Sequence, residues 1–183
     1  MKRVIVLRHA KSDWGDMSLR DFDRGLNGRG DRAASVMGRW AALNGVTPER
    51  IIASPAVRVV ETLRRFAQAH GACPEPQFDM RLYLASAPMI AEVLSETGGD
   101  ADALLVAGHS VGVEEFILAA VPDHDHSDLR IEVEIKFPTA ALAVLDFDIG
   151  DWASLAHGFV GKAQLRTFVR PRDLDPALGP DQR

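Results

Sequence analysis

The segment Val4-Ile5-Val6-Leu7-Arg8-His9 places four consecutive apolar residues directly before an arginine and a histidine. A short, continuous apolar run is typical of a strand that is buried on both faces, as in a parallel sheet. The charged pair marks the point where such a strand leaves the core. The sequence therefore predicts a buried first strand that delivers Arg8 and His9 to one edge of a sheet.

Two later apolar runs repeat this arrangement. Residues 51–53 precede Ser54-Pro55, which we interpret as a helix N-cap followed by a proline at the first helical position. Residues 103–107 precede Gly108-His109-Ser110, and a helical pattern follows. Three strand-turn-helix units indicate an α/β fold, a three-layer α/β/α sandwich with a mainly parallel sheet.

The remaining segments complete this prediction. Residues 33–41 and 86–97 have helical spacing, and residues 82–84 read as a short extended segment. Residues 140–147 and 152–155 predict a hairpin that adds an antiparallel edge to the sheet. We expect residues 1–183 to form a single domain whose tail is irregular from about residue 170.

Composition limits the function. A formal net charge of −5 over 183 residues argues against a nucleic-acid partner, because no excess of cations is available to displace counterions. No apolar run is long enough for a membrane span, so we expect no membrane association and a cytoplasmic location. The single cysteine, Cys73, excludes an internal disulfide and lacks the surroundings of a nucleophile. The sequence carries no signal for an oligomeric state.

The side chains that could bind a ligand or react with it follow the three predicted strands. Ligands of such sheets bind outside the carboxyl ends of the strands, so Arg8, His9, Arg58 and His109 are expected on one rim. Arginine forks match phosphate oxygens, and Arg58 also falls in the first turn of its helix, where an anion is favoured. A histidine beside them can act as a nucleophile or as an acid and base near neutral pH. The set predicts a site for a phosphoryl group.

These motifs resemble a known family. Arg8-His9-Ala10, the segment Ser54-Pro55-Ala56-Val57-Arg58-Val59-Val60-Glu61-Thr62 and Gly108-His109-Ser110 resemble, in order, the three motifs of the histidine phosphatase (phosphoglycerate mutase-like) superfamily. Residues 7–14 and 24–30 are most similar to those of the SixA-type phosphohistidine phosphatases. The likeness extends from residue 3 to about residue 170.

The resemblance implies a mechanism without a metal or another cofactor. His9 would attack phosphorus and form a phosphohistidine intermediate, which water hydrolyses, while Arg8 and Arg58 hold the phosphoryl oxygens and His109 donates to them. The second ring nitrogen of His9 should then donate to a backbone carbonyl or a carboxylate. The expected partner is a protein phosphorylated on histidine; a small phosphate ester is the alternative.

The sequence also departs from the family pattern. Ala10 replaces the usual glycine and Gly15 stands where an asparagine often contacts phosphate, so Ser12 or Lys11 are candidates for that contact. Residues 80–91 contain no carboxylate to serve as the general acid, for which Asp13 and Asp79 are the nearest candidates. A missing acid disfavours alkyl phosphates, whose leaving oxygen needs a proton, more than it disfavours the labile P–N bond of phosphohistidine.

Other functions remain open on the sequence. A protein that binds a phosphate group without hydrolysing it would have the same pocket. Gly108-His109-Ser110-Val111-Gly112 also matches the nucleophile elbow of serine hydrolases, with Asp123 or Asp128 and His157 as formal partners. That alternative leaves both arginines unexplained.

Two polar clusters could be read as functional sites, but a surface location explains each of them more simply. His124 and His126 have no obvious third ligand, so a solvated loop is favoured over a metal site. Asp21, Asp23 and Arg24 are interpreted as a surface charge cluster in a loop that could border the pocket.

Overall fold

Six strands form one sheet in a computed structural model of the chain, which describes residues 1–122 and 128–179. The strands are β1 (Lys2–Arg8), β2 (Arg50–Ala53), β3 (Pro76–Phe78), β4 (Ala103–Gly108), β5 (Leu142–Phe147) and β6 (Ala163–Val169). The helices of the described residues are α1 (Gly28–Leu43), α2 (Val57–His70), α3 (Ala87–Thr97), α4 (Gly112–Ala120), α5 (Asp128–Ile135) and α6 (Pro171–Leu174). Short 3₁₀ segments cover Asp21–Asp23, Met80–Leu82, Trp152–His157 and Pro176–Leu178.

The sheet is mainly parallel, with an antiparallel edge. Its strand order is β3-β2-β4-β1-β5-β6. The first four strands in this order run parallel to one another, while β5 pairs antiparallel with both β1 and β6. The carboxyl ends of β1, β2 and β4 therefore meet at one edge of the sheet, as predicted.

Two hydrophobic cores cover the two faces of this sheet. Because side chains alternate along a strand, Val4 and Val6 enter one core and Ile5 and Leu7 enter the other. The first core contains residues of α3, α4 and α5, and the second contains residues of α1 and α2. The three-layer α/β/α architecture is thus confirmed.

Helices α1 and α2 pack unusually close. Gly38 of α1 faces the backbone of Phe66 in α2, and a Cβ atom at Gly38 would overlap the Phe66 carbonyl oxygen. This contact fixes the helix pair whose first turns border the rim that carries Arg58.

Some local predictions were wrong. Helix α2 begins at Val57 with Ala56 as its N-cap, because the Ser54 hydroxyl is bound to the side chain of His109 instead of capping the helix. Leu82 ends a 3₁₀ turn rather than an extended segment, since the Asp79 carboxylate accepts from the Arg81 N–H and starts that turn.

The second strand of the hairpin was also misplaced. The partner of β5 is β6, whereas Trp152–His157 is a 3₁₀ turn that buries Trp152 and directs its indole N–H to the Ala101 carbonyl oxygen at 2.7 Å. The chain beyond Arg170, predicted to be irregular, forms α6 and a 3₁₀ turn, because Asp173 accepts from the Arg170 backbone N–H and closes the first turn.

No helix within residues 1–122 and 128–179 is long and apolar enough to cross a membrane.

Candidate active site

The fold brings the four principal candidates together at the carboxyl edge of the sheet. Arg8 ends β1 and His9 follows it, Arg58 lies in the first turn of α2, and His109 follows β4. His9, Arg58 and His109 are 9%, 5% and 2% exposed. The ring centroids of His9 and His109 are 5.3 Å apart, and Arg58 Nη2 lies 3.1 Å from His109 Nδ1.

A cleft of about 680 Å³ opens over these residues. Arg8, His9, Arg58 and the two secondary candidates, Lys11 and Ser12, all line it, whereas His109 lies behind Arg58. Among the described residues, one carboxylate faces the cleft, that of Asp21. The basic side chains in its wall are Arg8, Lys11, Arg29, Arg58, Lys136, Arg170 and Arg172. The cleft is therefore strongly basic although the chain as a whole is acidic.

Main-chain contacts hold His9 in place. Its backbone N–H donates to the Gly108 carbonyl oxygen and its own carbonyl accepts from Ala140, both at 3.0 Å. Ring atom Nδ1 lies 2.7 Å from the Ala10 carbonyl oxygen. Because a carbonyl only accepts, Nδ1 carries the proton and Nε2 keeps its lone pair. The expected donation from the second ring nitrogen is confirmed.

The surroundings of His9 keep its ring neutral. Burial lowers the pKa of His9 to about 4, and the positive charges of Arg58 and Arg8 add to this effect, while the Ala10 carbonyl opposes it. At neutral pH the Nε2 lone pair is therefore available for attack on an electrophile.

Thr62 connects the His9 segment to helix α2. Its hydroxyl accepts from the Ala10 backbone N–H at 2.9 Å and donates to the Arg58 carbonyl oxygen at 2.6 Å. One fully buried side chain thus links Ala10, the residue after His9, to Arg58.

The guanidinium of Arg58 is already occupied on two sides. Nη1 donates to the Asp21 carbonyl oxygen at 2.6 Å, and Nη2 donates both to Asp21 Oδ2 at 2.9 Å and to His109 Nδ1. A guanidinium can offer two neighbouring donors to an oxyanion either from Nε and Nη2 or from Nη1 and Nη2. Both pairs include Nη2, whose two N–H groups already donate to Asp21 and His109. A two-donor contact from Arg58 to an oxyanion therefore requires one of these partners to leave.

His109 has contacts that differ from its predicted role. Since arginine only donates, Nδ1 of His109 accepts from Arg58 and Nε2 carries the proton, which it donates to Ser54 Oγ at 2.8 Å. Burial lowers the pKa of His109 to about 3, with further lowering by Arg58 and His9. His109 thus holds the Arg58 guanidinium, and its ring proton points to Ser54.

Arg8 presents an unpartnered donor. Its Nη1 donates to the Phe137 carbonyl oxygen at 2.6 Å, whereas the buried Nε has no hydrogen-bond partner among the described residues. Burial lowers the pKa of Arg8. A buried cationic donor of this kind is well suited to bind an anion that enters the cleft.

The interpretation of Asp21, Asp23 and Arg24 as a surface charge cluster was wrong for Asp21 and Arg24, whereas their loop does border the cleft, as expected. Asp21 faces the cleft, where Oδ2 also accepts from the Tyr83 hydroxyl at 2.7 Å. That hydrogen bond, together with the Arg58 ion pair, lowers the pKa of Asp21. Arg24 is buried and donates to two carbonyl oxygens of its own loop, so it shapes the loop. Asp23 pairs with Arg20.

Neither candidate for the general acid lies in the cleft wall. Asp13 is exposed and accepts from the Gly15 backbone N–H. Asp79 is held by the backbone and side chain of Arg81, which lowers the pKa of Asp79. The cleft wall, as far as the structure describes it, therefore offers no carboxylic acid that would be protonated at neutral pH.

The other predicted groups lie apart from this centre. Ser110 does not line the cleft and makes no hydrogen bond to a described histidine. Burial raises the pKa of Cys73 to about 11, which leaves an inert thiol. His124, His126 and Asp123 fall outside the described residues. Within residues 1–122 and 128–179, no group of three His, Cys, Asp or Glu side chains could hold a metal ion.

Sequence reasoning missed the roles of Ser54, Thr62 and Tyr83 in the site, and it placed Asp21 only in a loop that could border the pocket. The first two lie inside the Ser54–Thr62 motif, where a buried hydroxyl next to a strand end was the available signal. Asp21 and Tyr83 lie in separate loops, and their pairing depends on tertiary contacts that no local pattern records.

Comparisons with known proteins agree with this geometry. Residues 4–83 match the family model of the histidine phosphatase superfamily, branch 1. An uncharacterized protein of Mycobacterium tuberculosis is 32% identical over 155 residues, which cover 83% of this chain and 93% of that protein. One from Mycobacterium leprae is 29% identical over 91% of this chain and its own full length.

Solved structures with a similar fold belong to proteins of the same kind. A candidate phosphohistidine phosphatase SixA from Agrobacterium tumefaciens superposes with a TM-score of 0.76 at 26% identity, covering 93% of this chain and 98% of that one. The corresponding candidate from Nakamurella multipartitia has a TM-score of 0.76 at 27% identity, covering 93% and 96%.

Proposed function

Because the chain belongs to the histidine phosphatase superfamily, we propose that it is a phosphatase that works through a covalent phosphohistidine intermediate on His9. Its substrate is a protein phosphorylated on histidine. The observation that carries the proposal is the hydrogen bond from His9 Nδ1 to the Ala10 carbonyl oxygen, because it leaves a neutral Nε2 beside two arginines.

The first step is the attack of Nε2 on phosphorus. The Nε2–P bond forms while the bond from phosphorus to the leaving nitrogen of the substrate breaks, and the electron pair goes to that nitrogen. Arg8 and Arg58 hold the non-bridging oxygens, and Arg58 exchanges Asp21 for a phosphoryl oxygen. Positioning and charge stabilisation carry most of the catalysis, because the transition state of phosphoryl transfer is loose.

The second step returns the enzyme to its starting state. A water oxygen attacks phosphorus, the P–Nε2 bond breaks with its electron pair going to Nε2, and the water's proton leaves to solvent. The products are inorganic phosphate and neutral His9. Because Nδ1 keeps its proton on the Ala10 carbonyl throughout, the ring leaves phosphorus as neutral imidazole, with the electron pair of the broken P–N bond on Nε2.

The charge pattern of the cleft supports phosphohistidine as the substrate. Asp21 is held ionised by Tyr83 and Arg58, so no carboxylic acid in the described wall can protonate an alkoxide. A phosphohistidine whose ring is protonated on its second nitrogen needs no such acid, since it leaves as neutral imidazole. Transfer from one imidazole to another also exchanges one P–N bond for an equivalent one.

Trapping the intermediate tests the proposal. The protein is mixed with ³²P-labelled phosphoramidate, quenched, and analysed for an acid-labile, base-stable label. We expect a label in the wild type that His9→Ala abolishes and that the control His157→Ala, at an exposed histidine away from the cleft, retains. A label that persists in His9→Ala would refute the assignment of the nucleophile, and a wild type that never releases phosphate would indicate a binding module.

A further inference from the structure

Large apolar side chains stand exposed in the loops at the carboxyl edge of the sheet. Leu19, Leu84 and Val111 are 41%, 58% and 60% exposed, and we call these three residues the apolar rim. They lie in the loops that follow β1, β3 and β4, at the carboxyl edge of the sheet. None of the three belongs to the lining of the cleft.

The loops that carry the apolar rim contact one another. The Tyr83 hydroxyl binds Asp21 in the first loop, and the Tyr83 ring meets the ring of His109 edge-on at 5.4 Å. Gly112 approaches Ala85 so closely that a Cβ atom there would overlap the Ala85 carbonyl oxygen. The three apolar residues therefore lie next to or two positions from the residues that join these loops: Leu19 near Asp21, Leu84 beside Tyr83 and Val111 near His109.

Leu84 is the clearest sign that this surface has a use. Its φ angle is +52°, in the left-handed region that glycine adopts without strain and a leucine adopts at an energetic cost. Its side chain is mostly exposed, so packing within the chain does not offset that cost. A backbone held in this conformation presents the leucine to a partner.

Two of the basic residues that line the cleft are exposed and lie on its C-terminal segments. Lys136 precedes the loop into β5 and Arg172 lies in α6, and both are exposed and line the cleft. Neither forms a salt bridge within the described part of the chain. Two such cations in the cleft wall attract an acidic group that lies beside the phosphoryl group.

We infer that the apolar rim is the docking surface for the protein that carries the phosphoryl group, and that acidic residues of this protein lie against Lys136 and Arg172. The inference rests on the proposed phosphatase function. A ligand confined to the cleft would not reach the apolar rim, whereas a protein segment that inserts phosphohistidine would contact it. The partner surface therefore has both apolar residues and carboxylates around its phosphohistidine.

Synthetic phosphohistidine peptides test the inference, with phosphoramidate as a small donor. The reference peptide has leucines and glutamates around the phosphohistidine; in two others serines replace the leucines or lysines replace the glutamates. The double variant Leu19→Ser/Leu84→Ser should lower kcat/KM for the reference peptide about tenfold, as expected for lost burial of two leucines, and leave phosphoramidate unchanged. Leu43→Ser, at the exposed end of α1, is the control.

Charge reversal tests the role of the two cations. Lys136→Glu/Arg172→Glu should shift the preference from the glutamate peptide to the lysine peptide, whereas Arg39→Glu, on the exposed face of α1, should not. Equal losses for peptide and phosphoramidate in the rim variant, or no loss for either, would overturn the docking inference. So would a change of oligomeric state in the rim variant, measured by sedimentation, because the rim would then bind a second copy. Failure of the wild type to hydrolyse phosphoramidate would instead count against the phosphatase function.

Discussion

Asp21 occupies the guanidinium of Arg58 with two atoms: its backbone carbonyl oxygen lies 2.6 Å from Nη1 and its Oδ2 lies 2.9 Å from Nη2. The carboxylate therefore holds a donor that a phosphoryl oxygen needs for a two-point contact. The Tyr83 hydroxyl stabilises this arrangement from the other side. For a two-donor contact with Arg58, an incoming oxyanion would have to displace Asp21 or His109, and Asp21 is the partner that carries a negative charge.

Asp21→Asn is expected to tighten oxyanion binding. Removing the charge weakens competition for Arg58, and a half-exposed ion pair is worth up to about 1 kcal/mol, which corresponds to about fivefold in Kd. The affinity for tungstate or inorganic phosphate, measured by calorimetry, reports this change directly.

Asp23→Asn is the matched control for this prediction. Asp23 lies in the same 3₁₀ turn and its replacement changes the net charge equally, but its carboxylate pairs with Arg20 and does not line the cleft. The Kd of Asp23→Asn for the same oxyanion should stay within about twofold of the wild-type value, because only the screened long-range effect of the lost charge remains. Weaker binding in Asp21→Asn would mean that Asp21 positions Arg58 for the anion and does not compete with it.

The two buried histidines predict a specific dependence of stability on pH. The pKa of His9 is about 4 and that of His109 about 3 in the folded chain, both below the ordinary value near 6.5. As the pH falls below 6.5, the unfolded chain binds protons first, so the free energy of unfolding decreases. Each histidine contributes a slope of about 1.4 kcal/mol per pH unit, which ends for His9 near pH 4.

Denaturant unfolding at pH 7 and at pH 5 measures this slope. His9→Asn should reduce the loss of stability between the two values, because an asparagine does not titrate. NMR titration of the imidazole signals provides an independent reading, in which both rings stay neutral at pH 5. A ring of His9 that becomes protonated near pH 6.5 would contradict the prediction.

The main features of the fold were predictable because each depends on a local signal. The apolar runs before Arg8 and His109 mark buried strands, and parallel strands bring their carboxyl ends to one edge. The hairpin partner of β5 was misplaced because the apolar residues around Trp152 form a 3₁₀ turn that packs against the core. The strand that pairs with β5 lies later in the chain, at Ala163–Val169.

The sequence predicted which charged and ring side chains form the site, but it did not predict the hydrogen-bond partners of these side chains. Arg58 and His109 carry chemistry that is visible in the sequence. The contact between them, and the roles of Ser54 and Asp21, depend on distances between loops of different strands. The expected donation from His109 to phosphate differs from the structure for this reason: Ser54 already accepts its ring proton.

Gly38→Ala is expected to destabilise the fold. The added methyl group would collide with the Phe66 carbonyl oxygen and push α1 away from α2, at a cost of about 1–3 kcal/mol or more, as for other overpacked sites. Gly28→Ala in the same helix adds a methyl group into open space and should be neutral or slightly stabilising. Thermal unfolding of both variants compares the two, and equal melting temperatures would contradict the close packing of the helices.

Thr62→Val is expected to damage the site while preserving the shape of the side chain. The Ala10 N–H would lose its acceptor in a fully buried position, which costs about 1–3 kcal/mol of stability. The segment that holds His9 would also lose its link to Arg58, so kcat should fall by roughly tenfold to a hundredfold, the effect of a displaced nucleophile. Thr62→Ser keeps both hydrogen bonds and should restore kcat, even though it loses a methyl group. Denaturant unfolding and single-turnover kinetics with phosphoramidate separate the two effects. A valine variant with lowered stability but full kcat would show that Thr62 supports only the fold, because a residue that positions His9 must change the rate of the chemical step.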